Sequence, residues 1–499
     1  MSDRPGPPWT SCLLVGLAAA LVHGRAISFG YTYLDDRDFI VDDQKFLAQS
    51  GSVLHAFGRS YMNVVDGEHP YYRPLVTLSY ALDAQWSGFG AFGYHLTNVV
   101  LHAIASVLFL ALVHRIDFGR IVTFLAALVF AVHPIIGSAV AWIPGRNESL
   151  LAIFALASWL FFLREVTFRR LQYRLLHIGF FWLALLTKES AIVLPLVCLT
   201  HLALLERDAP APLMRWPSRL VLAGGWIVGV AGRLLIHPPS GVATVRNFVH
   251  NLPLFVTSLG ELALPVNPSL LTVREDLPLW PGLLMAGLIA VATRFVPGVR
   301  SRVVALGIAV FALFLSPVLG VPGVLVLNTR LYLPACGAII ALAEIVRALP
   351  FERATVVSFA GVITTAFALI ALAYEGSFRD RRAFSKSAVD AAPHSALAHF
   401  CLGQTYQIDG DADGALAEYR MALSLGATYV VHNNMAVIYM ASARWLDAEH
   451  ELLEEIAVDP RYARAFRNLG VVLRREGRIE DATAAENRAR ELTAGDPRQ

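Results

Sequence analysis

Apolar windows of about 15 to 20 residues, the length that crosses a hydrocarbon core, recur near 11–29, 93–113, 119–137, 149–163, 175–187, 190–206, 219–236, 281–296, 303–320, 331–347 and 354–374. Each predicts a membrane-spanning helix, because a backbone in lipid has to satisfy its own hydrogen bonds. A further stretch, 249–266, is apolar but interrupted by Pro253, Pro265 and the nearby Pro268. With a cytoplasmic N-terminus, the loops around Arg115 and Arg120, Arg164–Arg174, Arg207–Arg219, Arg294–Arg302 and Arg347–Arg353 all fall on the cytoplasmic side, as the positive-inside rule requires. That agreement holds only if 249–266 does not cross, so it is expected to be re-entrant or interfacial. About eleven crossings follow. An odd count places everything after residue 375 on the far, periplasmic side. The first run, Cys12 to Ile27, reads as an uncleaved signal anchor rather than a signal peptide.

After residue 375 the pattern changes from apolar runs to a polar, arginine-rich repeat. Leu402–Tyr406 (LGQTY), Met435–Tyr439 (MAVIY) and Leu469–Leu473 (LGVVL) recur at spacings of 33 and 34, as do Ala415, Ala448 and Ala482. A helix–turn–helix unit of about 34 residues, with small residues where its helices touch, is the tetratricopeptide pattern. Residues 378–394 read as half of an additional leading unit. The expected domains are 1–375, a transmembrane domain with a first outward loop at 30–92, and 376–499, a periplasmic tetratricopeptide-repeat α-solenoid. The fold class is all-α.

Composition agrees with a multi-pass membrane protein: 56% of the residues are hydrophobic and 16% charged, against about 25% charged in an ordinary soluble domain. The 41 basic and 39 acidic residues nearly cancel, so no global field favours a nucleic-acid partner. Lysine occurs only at Lys45, Lys188 and Lys386, an arginine bias of the kind met in GC-rich bacterial coding. Cys12, Cys198, Cys336 and Cys401 are scattered, with no CxxC pair; neither a disulfide nor a thiolate metal site is expected. No Walker loop, HExxH or GxSxG is present, which argues against a nucleotide-driven machine. Charges deep in several spans and symmetry between halves, the marks of a transporter, are not found by reading the chain.

With this topology the unusual side chains gather on the outward face. Asp35 and Asp36 follow the first span in YTYLDDRDFIVDD; His69 and Arg73 share the first outward loop; His95 opens the second span and His133 closes the third. Arg146 and Glu148 open the fourth, Lys188 and Glu189 lie between the fifth and sixth, and Arg330 and Tyr332 open the tenth. A carboxylate where water is scarce has a raised pKa and can take a proton from a hydroxyl. Arginine and lysine hold a phosphate and stabilise the charge it gains on leaving. Together they suit group transfer from a phospholipid-type donor. Asp38, Asp42 and Asp43 read as solvated or capping residues, and Lys188 and Glu189 as either a site or a mutually neutralised pair. The sequon Asn147–Ser149 reads as idle, being too close to the bilayer. The stretch TLSYALDAQWSGFG after Arg73 is expected to lie as an amphipathic helix in the interface, with Tyr80 and Trp86 at headgroup depth.

The runs LDDRDFIVDD, YYRPLVTLSYALD, FGYHLTNVVLHA, FAVHPIIGSAVAWIPGRNESL, LALLTKESAIVLP and NTRLYLPACG, in that order and followed by the repeats, resemble the transmembrane and tetratricopeptide-repeat-containing protein family. Its members belong to the GT-C glycosyltransferases, and the characterised eukaryotic ones are protein O-mannosyltransferases of the endoplasmic reticulum. The resemblance implies a GT-C-type domain in the inner membrane. It implies inverting transfer of a sugar from a polyprenyl-phosphate-linked donor to an acceptor hydroxyl, with protein Ser/Thr as the acceptor. Asp35 and Asp36 then stand at the reaction centre, with Asp35 preferred as base. Arg73, His95, His133, Arg146, Lys188, Glu189, Arg330 and Tyr332 serve the donor phosphate and sugar. No residues are assigned to a metal, and a divalent-metal requirement stays open. The repeats would bind the protein acceptor or a partner. Ile136 and Ser138 stand where the family has a second histidine and a glutamate, and Leu34 where it has an aromatic residue. These departures feed the alternative, a catalytically degenerate GT-C fold anchoring a repeat scaffold for envelope assembly.

Overall fold

The computed structural model describes residues 6–49, 51–58, 71–206, 216–236, 245–320, 327–427 and 430–494. The elements named in the described residues are helices throughout. Each of the apolar windows falls on one of them. Among the described residues seven helices are long and apolar enough to cross a membrane: Trp9–Ser28, Ala91–Ile116, Ile143–Phe168, Arg219–Ile236, Ser301–Leu319, Asn328–Ala348 and Arg353–Phe378. An eighth candidate is the pair Arg120–Val132 and Pro134–Ala141, bent by 49°. The bend has a plain cause, since Pro134 lacks an N–H and pushes His133 into extended geometry, and the His133 side chain caps the second helix by accepting from the Ile135 N–H. The remaining windows fall on Leu171–Thr187, Glu189–Leu205 and Trp280–Phe295; such helices span about 25 Å, near the lower limit for a crossing. The 249–266 stretch forms two short helices, Val245–Asn251 and Pro253–Ala263, in keeping with a segment that does not cross.

By packing, the chain forms two compact units, Met1–Ala383 and Phe384–Gln499. The first has a core of Phe109, Phe130, Trp159, Phe181, Tyr332 and their neighbours. Leu13, Leu14, Leu17 and Leu21 on the first helix, and Phe359, Val362 and Leu369 on the last, are exposed; they are the faces that meet lipid. Residues 376–383 pack with this first unit, so the boundary falls later than 375. The Gly30 N–H donates to the Arg379 carbonyl at 2.9 Å, and the Arg381 guanidinium lies 5.6 Å from the Tyr33 ring centre.

The stretch expected to lie in the interface folds differently. It forms the helix Pro74–Ser87, and Tyr80 is 1% exposed, stacked 6.4 Å from Phe39. Tyr80 is therefore a core residue and not a headgroup anchor, and only Trp86 stays open. At the opposite end of the unit, Glu344 accepts from Arg300 and Arg347 at 2.5 and 2.6 Å, and Arg300 also donates to the Ile116 and Asp117 carbonyls. The arginines there close helix ends.

In the second unit the recurring Ala415, Ala448 and Ala482 are wholly buried, where paired helices touch. Tyr419 and Tyr439 are buried packing residues. His399–Glu418 and His432–Glu451 repeat one side-chain contact, each at 2.6 Å, so successive repeats are closed in the same way.

Helices Ser301–Leu319 and Tyr332–Ala348 approach through glycines, as membrane helices do. A Cβ on Gly307 would lie 2.6 Å from the Ala341 nitrogen, and one on Gly337 would collide with the Phe311 backbone. Gly337→Val should therefore cost about 3 kcal/mol or more, and Ala at the open position Gly361 little; thermal unfolding of both variants in detergent checks the difference.

Candidate active site

The acidic loop is built from its turn outward. Tyr33 adopts φ +61°, and this kink lets the chain fold back so that Thr32 donates twice to Asp36, through its N–H at 2.6 Å and its hydroxyl at 2.9 Å. Asp36 is 1% exposed, and both of its oxygens are thereby committed. Asp35 accepts no hydrogen bond among the described residues, and its surface remains partly open. The two carboxylates that the sequence could not separate thus have different surroundings. A single π turn, Arg37–Val41, follows; it buries Phe39 and Ile40 and fixes the loop to the helix bundle.

Burial raises the Asp35 carboxyl to about 7, Asp38 and Asp36 push it the same way, and Arg73 opposes them. Burial also raises Asp36, to about 6, against the stabilising Thr32 hydrogen bonds. At neutral pH Asp35 is therefore poised between acid and base.

Arg73, the last residue before the Pro74–Ser87 helix, joins this loop to a cationic cluster. Its guanidinium grips Glu189 through two bonds, 3.2 and 2.6 Å, and lies 4.8 Å from the Tyr71 ring centre. Burial favours the neutral form of Glu189, but Arg73 and Lys188 overcome it and hold the carboxyl at about 2. Lys188 pairs with Glu148 and lies 3.5 Å from the Asn147 side-chain oxygen; burial lowers its pKa while Glu148 resists. Arg330 is within electrostatic reach of Glu148, Tyr71, Arg73 and Glu189. Arg233, 3.9 Å from Glu189, completes the group. Sequence reading passed over Arg233 because it sits inside an apolar window. An arginine there was itself the signal.

The other named residues go elsewhere. Arg146 is fully buried and spends its donors on Asn98 at 2.9 Å, Ser79 at 3.2 Å and the Tyr94 carbonyl at 2.8 Å. It also pairs with Asp83 at 2.6 Å and stacks 4.6 Å from the Tyr80 ring centre. Asp83 was missed because it looked like the polar face of an interfacial helix. His95 lies 3.3 Å from the Gly30 carbonyl, holding the entry of the acidic loop. His133 is engaged at both ring nitrogens, with Ile135 N and with the Leu262 carbonyl at 3.0 Å. Tyr332 bonds to His102 at 2.7 Å, beside the buried pair His23–Glu375; these paired groups inside the spans escaped the reading of the chain. Asn147 is buried and donates to the Pro144 carbonyl, so its sequon is inaccessible. Ile136 and Ser138 are packed in the buried helix Pro134–Ala141. His69 lies outside the described residues. Among the described residues no three His, Cys, Asp or Glu side chains group as a metal site.

Comparison with known proteins follows the same division of the chain. Residues 68–228 match the family described as dolichyl-phosphate-mannose-protein mannosyltransferase, and residues 433–497 match the tetratricopeptide repeat. A protein O-mannosyl-transferase of Caenorhabditis elegans is 27% identical over 431 residues, which cover 79% of this chain and 60% of that protein. The human protein O-mannosyl-transferase TMTC2 is 34% identical over 26% of this chain and 17% of its own length. Human TMTC4 is 31% identical over 37% and 28%, respectively. The chain thus spans less than two thirds of the curated relatives it matches. The crystal structure of ArnT from Cupriavidus metallidurans bound to undecaprenyl phosphate covers 91% of this chain and 80% of its own at 14% identity, with a TM-score of 0.40, a likeness too loose to carry an inference.

The clamp on Arg146 makes a prediction. Asp83→Asn keeps the shape and leaves a buried guanidinium without its countercharge, a change that costs about 3–5 kcal/mol; Asp42→Asn, at an exposed pair, should cost about 0–1 kcal/mol. Thermal unfolding in detergent separates the two.

Proposed function

We propose that this chain, related to the transmembrane and tetratricopeptide-repeat-containing O-mannosyl-transferases, is an inverting GT-C-type glycosyltransferase that moves a sugar, mannose, from a polyprenyl-phosphate donor to the hydroxyl of a protein serine or threonine. The observation that carries the reading is the junction at Arg73: one guanidinium bears on both Asp35 and the Lys188–Glu189–Arg330 cluster. A base and a phosphate cradle are thereby held side by side.

In this mechanism the acceptor hydroxyl gives its proton to Asp35 as its oxygen attacks the anomeric carbon. The bond from that carbon to the phosphate oxygen breaks on the opposite side, and the configuration inverts. Arg73, Lys188 and Arg330 stabilise the departing polyprenyl phosphate, while Asp36 holds the turn that aims Asp35. The proton then passes from Asp35 to water through its open surface. With the N-terminus cytoplasmic, the arginine-rich loops lie inside and the site faces the periplasm of a bacterial inner membrane. The repeats present the acceptor on their surface. The packed Ile136 and Ser138 favour a second reading, a scaffold that retains donor binding without turnover.

Two measurements test this. Asp35→Asn should lower transfer from labelled polyprenyl-phosphate mannose by about 10²–10⁴-fold while donor binding persists; undiminished transfer would refute the base assignment, and a wild-type protein that binds donor without turnover would favour the scaffold. The base works only when deprotonated, so its raised pKa should make kcat/KM fall as pH drops below about 7, about tenfold per unit. A profile flat from pH 5 to 8 would remove Asp35 from the chemistry.

A further inference from the structure

The short turn Asn328–Leu331 that delivers Arg330 to the cationic cluster also carries Asn328. Asn328 is fully buried, and among the described residues neither its side-chain oxygen nor its nitrogen has a hydrogen-bond partner. The Tyr374 hydroxyl, from the last membrane helix, stands near Asn328 and Ser138 without a hydrogen bond of normal geometry to either. Glu261, on the short Pro253–Ala263 helix, lies within electrostatic reach of Tyr374, and its buried Oε2 also lacks a partner. That short helix is tied to the break at His133 through the Leu262 carbonyl. Segments far apart in the chain thus bring unsatisfied polar atoms to one place.

Buried polar groups are almost always paired, so such a cluster has a ligand to explain. An amide that can give two hydrogen bonds and accept two, beside a phenol and a carboxyl, suits hydroxyl groups that both donate and accept. Burial pushes the Glu261 carboxyl up to about 8, leaving it mostly protonated at neutral pH and able to donate as well. A neutral acid and an amide, neither carrying a negative charge, make a poor seat for a cation. A phosphate finds its cations in the Arg73 cluster, reached by Arg330 of the same turn.

We infer that Asn328, Tyr374 and Glu261 form the subsite that holds the hydroxyls of the donor sugar while Arg330, two residues from Asn328, holds its phosphate. The inference rests on the donor proposed above. One turn would then read both parts of the substrate, and the choice of sugar would lie with groups outside the acidic loop.

Binding of two probes by full-length protein in detergent tests it: polyprenyl phosphate and polyprenyl-phosphate mannose. Wild-type protein should bind the mannosylated lipid more tightly than the bare one. Asn328→Ala and the shape-preserving Tyr374→Phe should each weaken the mannosylated lipid about tenfold and leave the bare phosphate unchanged, a split that general misfolding does not give. Equal loss of both lipids, or loss of neither, overturns the subsite and leaves ordered water as the partner of these atoms. Wild-type protein that binds neither lipid overturns the donor reading, and the subsite with it.

Discussion

The arrangement depends first on one buried guanidinium. Arg146 lies at the start of a membrane-length helix with no solvent exposure, and such a charge is tolerated only when fully paired. Asp83, Asn98, Ser79 and the Tyr94 carbonyl supply the pairing, and the Tyr80 and Tyr94 rings cover its faces. Satisfying that charge brings the Pro74–Ser87 helix down onto the bundle. The helix carries Arg73 at its entry and Tyr80 under Phe39, so the cationic cluster and the acidic loop take their places from the same clamp.

Above the clamp, charges are matched in pairs that leave a residue of reactivity. Glu189 holds Arg73 and Glu148 holds Lys188, which keeps the cations ordered without a ligand. Asp36 is spent on Thr32, and Asp35 is left with like-charged neighbours and Arg73. The contrast between the two acids is one of hydrogen bonding: an aspartate that accepts backbone and hydroxyl protons is a structural element, and its neighbour without such bonds is available for a proton.

The helices, their order, the arginine asymmetry and the repeats were legible in the chain because each is a local or periodic property. Hydropathy over a window reports a span, and the recurrence of Ala415, Ala448 and Ala482 reports a packing contact. The acidic pair was legible for a similar reason, as polar residues placed abruptly after an apolar run. Tyr80 was misread because amphipathicity shows that a helix has two faces and does not say whether the apolar face meets lipid or protein. Asp83 was missed because it matched the polar face of an interfacial helix, and Arg233 because it sits inside an apolar window; the partner of each is distant in sequence.

By itself, then, the sequence determined an all-helical membrane protein with a repeat domain and a set of ionisable residues near the ends of its spans. Tertiary structure decided which of them meet. Arg73 finds Glu189 across 116 positions and Lys188 finds Glu148 across 40, whereas His133 and Tyr332 turn to backbone and imidazole partners. Pairing through space depends on how helices cross and on which charges burial forces together, and neither is written in the local pattern of the chain.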